Sequence, residues 1–156
     1  MKKIISLFAL LIIASALPSH CQLAVGYNTD GNTLCLSYDP QEKLTVEFRA
    51  NTKPYNQTDW EYNDLGITQL YGIVRFFSSE KISLFAGGGL GSNLLSRNSD
   101  KWLSLNIPLG IKVNPFVSLP DLYIIGEYDP MLVFDEDIPM INCMSLGFRY
   151  IITRRD

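Results

Sequence analysis

Residues 102–114 carry the sequence feature that most constrains the fold, because aliphatic side chains alternate there with mainly polar ones. Successive side chains of a β-strand point to opposite faces, so this segment is predicted to form a ribbon with one aliphatic face. That face consists of Leu103, Leu105, Ile107, Leu109, Ile111 and Val113. A tilted strand needs about 9–11 residues to cross a bilayer, whereas strands of soluble proteins are typically about 5–6 residues long. The length of the pattern therefore favours a membrane-crossing strand.

The N-terminal segment has the features of a secretory signal peptide. Lys2 and Lys3 precede an apolar run at residues 4–17, and Cys21 is small enough for the last position before a cleavage site at Gln22. The run is too short for a helical membrane span and is followed by polar chain. These features predict export of the mature protein.

Cleavage would divide the chain into a signal peptide at residues 1–21 and one mature domain at residues 22–156. A rival interpretation makes Cys21 a lipidated N-terminus. Residues 17–20, Leu-Pro-Ser-His, do not resemble a lipoprotein signal, which has small residues directly before the cysteine. The sequence therefore favours simple cleavage.

Composition excludes several classes of function. The formal net charge is −3, and the only histidine, His20, lies in the predicted signal peptide. The mature domain therefore cannot use histidine as a base, nucleophile or metal ligand, and its acidic charge predicts no nucleic-acid partner. No mature segment approaches about 18 consecutive apolar residues, so helical membrane spans are excluded. Cys35 and Cys143 are too few for a disulfide framework, and the sequence leaves open whether they pair.

Further alternating segments predict an all-β chain. Eight strands are expected, and they lie at 22–28, 33–39, 44–51, 60–78, 82–94, 102–114, 122–128 and 143–152. After a first hairpin with an Asp-Gly turn, the connections alternate between short and long. The short ones are 39–43, 79–81 and 118–121, and the long ones are 52–59, 95–101 and 132–139. This wiring predicts an eight-stranded antiparallel up-and-down β-barrel.

The composition of the polar face indicates which face points outward. It carries about one charge per strand, at Glu47, Arg49, Arg75, Lys112, Glu127 and Arg149. A soluble lipocalin-like barrel would expose several charges per strand, whereas a sparse set of opposite charges suits the interior of a small membrane barrel. Arginine or lysine facing lipid costs about 2–4 kcal/mol at the bilayer midplane. We therefore predict a transmembrane barrel with a charge network in its lumen.

Aromatic residues on the aliphatic face are expected to form two interfacial belts. The predicted inner belt contains Tyr38, Phe76, Phe148 and Tyr150, and the predicted outer belt contains Tyr27 and Tyr128.

Residues 22–152 resemble the small outer-membrane β-barrel proteins of Gram-negative bacteria. The resemblance is carried by the turn at 39–43, the Gly-rich strand at 85–90 and the ending at 145–151. It implies a location in the outer membrane, contact with outer-membrane lipid and insertion by the barrel-assembly machinery. The family usually ends its last strand on a terminal aromatic residue, but six residues follow Tyr150 in this chain.

A closed lumen predicts a structural or surface-interaction protein, whose long loops would meet any extracellular partner. Two alternatives remain: a soluble lipocalin-like secreted binding protein, and a narrow transport or ligand-binding barrel. The latter would use the inward aromatic residues Tyr71, Phe85, Trp102 and Tyr123.

No enzyme, cofactor or metal site is predicted. Glu127 and Asp129 could form an acid pair, but carboxylates at this spacing more often bind an arginine. The glycines at 87–91 continue the strand pattern and lack the ending of a phosphate-binding loop. The acidic run at 135–137 lacks the spacing of a calcium loop and is interpreted as a solvated loop.

Overall fold

The computed structural model describes residues 22–29, 32–41, 43–51, 56–57, 60–61, 68–93, 103–134 and 140–153. The predicted signal peptide, Trp102 and the acidic run at 135–137 lie outside these residues, as do most of the predicted long loops. The described residues contain no helix that is long and apolar enough to span a membrane.

The described residues form an antiparallel β-barrel. The strands are β1 (Gln22–Asn28), β2 (Thr33–Gln41), β3 (Leu44–Asn51), β4 (Asn56–Gln57), β5 (Trp60–Glu61), β6 (Thr68–Ser78), β7 (Ile82–Ser92), β8 (Leu103–Asn106), β9 (Leu109–Val113), β10 (Leu122–Val133) and β11 (Ile141–Thr153). Strands β4 and β5 pair only with each other. The remaining strands pair in sequence order, and β1 closes the barrel by pairing with β11. Strands β8 and β9 both pair with β7 and β10 and are two segments of one barrel strand, so the barrel has eight strands.

The predicted strand at residues 102–114 is divided by Ile107 and Pro108. Proline has no N–H group and cannot donate a ladder hydrogen bond. Its carbonyl nevertheless accepts from Gly87 N at 2.9 Å, and Ile107 N donates to Pro130 O at 3.1 Å. The inside–outside alternation therefore continues across the break, with Ile107 exposed and Pro108 buried.

The aliphatic face points outward along the whole barrel, as predicted. Leu109 and Ile111 are exposed on β9, and the same holds for the corresponding positions on the other long strands. Examples are Leu36, Val46, Phe48, Leu70, Val74, Leu90, Ile124, Leu146 and Phe148. A soluble β-barrel would bury these side chains, so the distribution is inverted with respect to a lipocalin.

We call the end where β1 begins and β11 ends the inner end. The connections at 79–81 and 114–121 lie there, and β1, β3, β7 and β10 end at the opposite, outer end. The connection predicted at 118–121 is longer in the structure because β9 ends at Val113. Asn114 then accepts a hydrogen bond from Phe116 N through its side chain and donates to Pro120 O, which stabilises the turn.

Strand β2 continues past its predicted end at residue 39. Asp39 was expected where this strand meets a polar turn, but it lies within β2 and is buried in the lumen. An irregularity in the pairing of β2 with β3 between Tyr38 and Gln41 allows the strand to continue to this point.

One pair of residues in the predicted aromatic belts is not arranged as predicted. Tyr27 and Phe148 were assigned to opposite belts, yet they are direct partners in the pairing of β1 with β11. Their ring centroids lie 5.9 Å apart, so the two rings occupy nearly the same height on the barrel. The prediction was wrong because the stagger between strands cannot be deduced from positions along each strand alone.

The outward aliphatic face predicts a depth-dependent penalty for charge. We expect Leu146→Arg to lower the free energy of unfolding by about 2–4 kcal/mol, because this exposed side chain lies near the middle of β11. The measurement is a urea titration of the barrel folded into phospholipid vesicles. Val117→Arg is the matched control, because Val117 lies in the inner connection and is 85% exposed; its expected cost is about 0–1 kcal/mol. Equal effects of the two substitutions would contradict a lipid-facing Leu146.

Candidate functional site

The centre of the lumen contains four buried charged side chains that contact one another. Glu47 and Arg49 both point inward from β3, and Arg49 Nε donates to Glu47 Oε1 at 2.6 Å. Glu127 enters from β10 and Arg149 from β11. Each of the four is at most 7% exposed. We call these four residues the central network.

The pair formed by Arg49 and Glu127 crosses the lumen. Its two hydrogen bonds run from Arg49 Nη1 to Glu127 Oε1 at 2.5 Å and from Arg49 Nη2 to Glu127 Oε2 at 2.7 Å. Strands β3 and β10 lie on opposite sides of the barrel, four strands apart in either direction. This bidentate pair therefore bridges the barrel across its diameter.

Arg149 completes the central network from a third strand. Its Nε and Nη2 donate to the two carboxylate oxygens of Glu47 at 3.0 and 2.8 Å. Its Nη1 donates to Asn28 Oδ1 at 2.8 Å, and Ser37 Oγ donates to Glu47 Oε2 at 2.5 Å. The Arg149 side chain passes directly over Gly26, where a Cβ atom would collide with it, so a glycine is required at this position.

A polar cluster lies on the outer side of the central network. Tyr71 OH donates to Asp129 Oδ2 at 2.5 Å, and Asn106 Nδ2 donates to Tyr71 OH at 2.9 Å. Ser104 Oγ donates to Asn106 Oδ1 at 2.9 Å. The Arg49 guanidinium stacks 4.2 Å from the centre of the Tyr71 ring, which joins this cluster to the central network. Tyr71 therefore contributes to the closure of the lumen from the outer side.

The other two predicted network residues lie closer to the inner end and do not contact the central network. Arg75 Nη2 forms an ion pair with Asp39 Oδ2 at 3.1 Å. Lys112 Nζ lies 4.1 Å from the centre of the Tyr123 ring and, within the described parts of the chain, has no ion pair with a carboxylate. The structure thus joins Glu47, Arg49, Glu127 and Arg149 and separates Arg75 and Lys112 from them.

Sequence reasoning missed several partners of the network. Asp39 was assigned to a turn, although Cys35, Ser37 and Asp39 follow the same alternation and would have placed it inside. The contact of Asn28 with Arg149 could not be deduced, because it depends on the pairing of β1 with β11. Glu127 does bind an arginine, whereas Asp129 accepts mainly from Tyr71 and lies 3.8 Å from Arg49.

Cys35 and Cys143 are both buried and form no disulfide with each other. Cys35 donates weakly to Thr33 O on its own strand, and Cys143 on β11 is the cross-strand neighbour of Asp129 on β10. Within the described residues, no group of three or more His, Cys, Asp or Glu side chains is placed to hold a metal ion.

Comparison with known proteins identifies the fold. No family model and no curated protein matches the sequence. Among solved structures, the chain is similar to the N-terminal β-barrel domain of Pseudomonas aeruginosa OprF, with a TM-score of 0.55 and 12% identity over 85% of this chain and 96% of that one. The chain has the fold of outer-membrane β-barrels.

A second similar structure is the Yersinia pestis outer membrane protein Ail in a phospholipid bilayer nanodisc. Its TM-score is 0.48 and its identity 19%, over 85% of this chain and 98% of that one. The predicted fold class, an eight-stranded antiparallel barrel of the outer-membrane type, is confirmed by the strand pairing and by the OprF likeness.

The bidentate pair across the lumen predicts strong coupling between its two members. We expect Glu127→Leu to lower the free energy of unfolding by about 3–5 kcal/mol, because the buried charge of Arg49 would keep only one of its two hydrogen-bonded carboxylate partners. The double variant Arg49→Met/Glu127→Leu should be more stable than Glu127→Leu alone, since Glu47 keeps both of its bonds to Arg149. Urea titration in vesicles measures both values.

Glu80→Leu is the control for this comparison, because it makes the same chemical change at an exposed residue of the inner turn. Its expected effect is within about 0.5 kcal/mol of zero. A Glu127→Leu variant that behaves like Glu80→Leu, or a double variant less stable than Glu127→Leu, would show that the pair does not stabilise the barrel.

Proposed function

We propose that the mature protein is an outer-membrane barrel with a closed lumen that acts structurally or through surface interactions of its outer loops. The observation that carries this proposal is the pair of Arg49 and Glu127, which bridges the lumen between opposite strands. An eight-stranded barrel has an interior that side chains nearly fill, so such a bridge is enough to block a wide channel.

The outward aliphatic face supports the membrane location. Large apolar side chains are exposed on every long strand, and the charged side chains of these strands that contact the central network are buried. A protein in water would expose an apolar surface of this extent only at the cost of aggregation. The N-terminal signal features of the sequence support export as the route to that membrane.

The outer loops are the part of the protein proposed to meet partners. The predicted loops at 52–59, 95–101 and 132–139 lie largely outside the described residues, apart from the short β4–β5 hairpin and residues 132–134. They follow long strands that rise to the same end of the barrel. The supporting argument is their position: a rigid barrel presents its long loops together at one end, where binding residues commonly occur.

The proposed location is tested by fractionation of cells that express the full chain. The mature protein is expected in the outer-membrane fraction, to begin at Gln22 by N-terminal sequencing, and to migrate faster on a gel before boiling than after it. The physical reason for the last result is that a closed barrel stays compact in detergent until heat opens its strand ladder. Recovery as a detergent-free soluble protein would overturn the proposal.

The closed lumen is tested by conductance. We expect the purified barrel to give no stable large pores in planar lipid bilayers, because the central network blocks the lumen from three strands. A sixteen-stranded porin in the same bilayers serves as the positive control, since barrels of about 16–18 strands leave an aqueous channel. Stable openings of porin size from the wild-type protein would contradict a closed lumen.

A further inference from the structure

The inner half of the lumen contains a cavity with an empty volume of about 530 Å³, counted to its open mouth. Its inner boundary is the central network of Glu47, Arg49, Glu127 and Arg149. Gln22, Thr45 and Lys112 line it near the inner ends of their strands, so the mouth faces the inner end. The cavity is therefore open at the inner end of the barrel and closed towards the outer end by ion pairs.

The side walls of this inner cavity are apolar. They are formed by Ala24, Ile73, Phe85, Ile125 and Ile151, all of them buried within the barrel. Small-molecule sites typically combine such walls with a few placed polar groups. The lining of the inner cavity fits this description.

The charge of the inner cavity is unbalanced towards the basic side. Its lining includes four basic and three acidic side chains, namely Arg49, Arg75, Lys112 and Arg149 against Asp39, Glu47 and Glu127. The central network balances itself, and Arg75 is paired with Asp39. Lys112 is the surplus cation: among the described residues it forms no ion pair with a carboxylate, and its Nζ lies over the ring of Tyr123.

A second polar group of the inner cavity is also unsatisfied. Arg75 Nε is buried and has no hydrogen-bond partner, although Arg75 Nη2 binds Asp39. A buried donor without a partner is unfavourable because it has lost its hydrogen bonds to water. Arg75 and Lys112 both line the cavity, so a ligand there lies beside two cationic side chains.

The outer half of the lumen differs in both respects. The cavity there has an empty volume of about 310 Å³, and its lining is mainly polar. Arg49 is its only basic residue, against Glu127 and Asp129, and the free carboxylate oxygen there is Asp129 Oδ1. An anion is therefore favoured at the inner cavity and disfavoured at the outer one.

We propose that the inner cavity binds a small monoanion with a compact apolar body, such as an aromatic carboxylate. The carboxylate interacts with Lys112 and Arg75 near the mouth, and the apolar body contacts Ile73, Phe85 and Ile125. Because the central network lies behind the ligand, the site retains the molecule and does not conduct it. This binding is independent of the proposed role of the outer loops.

The test uses the mature barrel in nanodiscs of phosphatidylcholine, with 4-(trifluoromethyl)benzoate as the probe and fluorine NMR as the readout. Saturable binding above that of empty nanodiscs is the expected result. The neutral analogue 4-(trifluoromethyl)benzyl alcohol should bind at least tenfold more weakly, and acetate should not displace the probe. Absence of saturable binding, equal binding of the alcohol, or displacement by acetate would each overturn the proposal.

Two variants locate the site, and their folding is checked by heat-modifiable gel migration. Lys112→Gln should weaken binding at least tenfold, whereas Lys81→Gln removes the same charge from an exposed position of the inner turn and should leave binding unchanged. Ala24→Leu fills the cavity without changing its charge and should weaken binding as well. Wild-type affinity in either cavity variant would place the probe elsewhere; if a variant does not fold, the comparison of acid and alcohol on the wild-type barrel still decides.

Discussion

The bidentate pair between Arg49 and Glu127 is the interaction on which the rest of the barrel depends. The strand pattern directs apolar side chains outward, so charged side chains of the same strands must enter a narrow interior. Removing an ion from water costs several kcal/mol, and only a well-placed partner offsets that cost. Arg49 bonds Glu47 on its own strand and also reaches Glu127 on the opposite side of the barrel. Closure of the lumen is thus a direct consequence of the inverted arrangement of the faces.

The same bridge divides the lumen into two compartments of different character. On the outer side, Tyr71, Asn106 and Asp129 form a polar cluster with an acidic surplus. On the inner side, apolar walls lie below the ion pairs, and Lys112 supplies a basic surplus. Charges in the interior are poorly screened, so the acidic surplus on the outer side and the basic surplus on the inner side produce an electric field along the barrel axis. A ligand would therefore meet opposite chemistry at the two ends of one small barrel.

The sequence was sufficient to predict the eight barrel strands and the direction of their faces, though not the strand ends, because alternation has a fixed period of two residues. It could not predict which charges meet, because that depends on the stagger between strands. Six inward charges were expected in one network, yet Arg75 and Lys112 lie towards the inner end, outside the central network. For the same reason, Tyr27 and Phe148 were predicted in opposite belts, although their rings are neighbours. The local sequence pattern thus predicts whether a side chain points inward or outward, whereas its height along the barrel axis depends on how the strands are staggered when the barrel closes.

The position of the bridge also constrains what the proposed ligand site can do. The central network separates the inner cavity from the outer loops, so a molecule bound beside Lys112 makes no contact with residues at the outer end. Coupling between the two ends would require Arg49 to leave Glu127, which would strand two buried charges at a cost of about 3–5 kcal/mol. The binding free energy that a monoanion gains by pairing with Lys112 is too small to offset that cost. The proposed ligand site in the inner cavity and the proposed contacts of the outer loops are therefore expected to work independently.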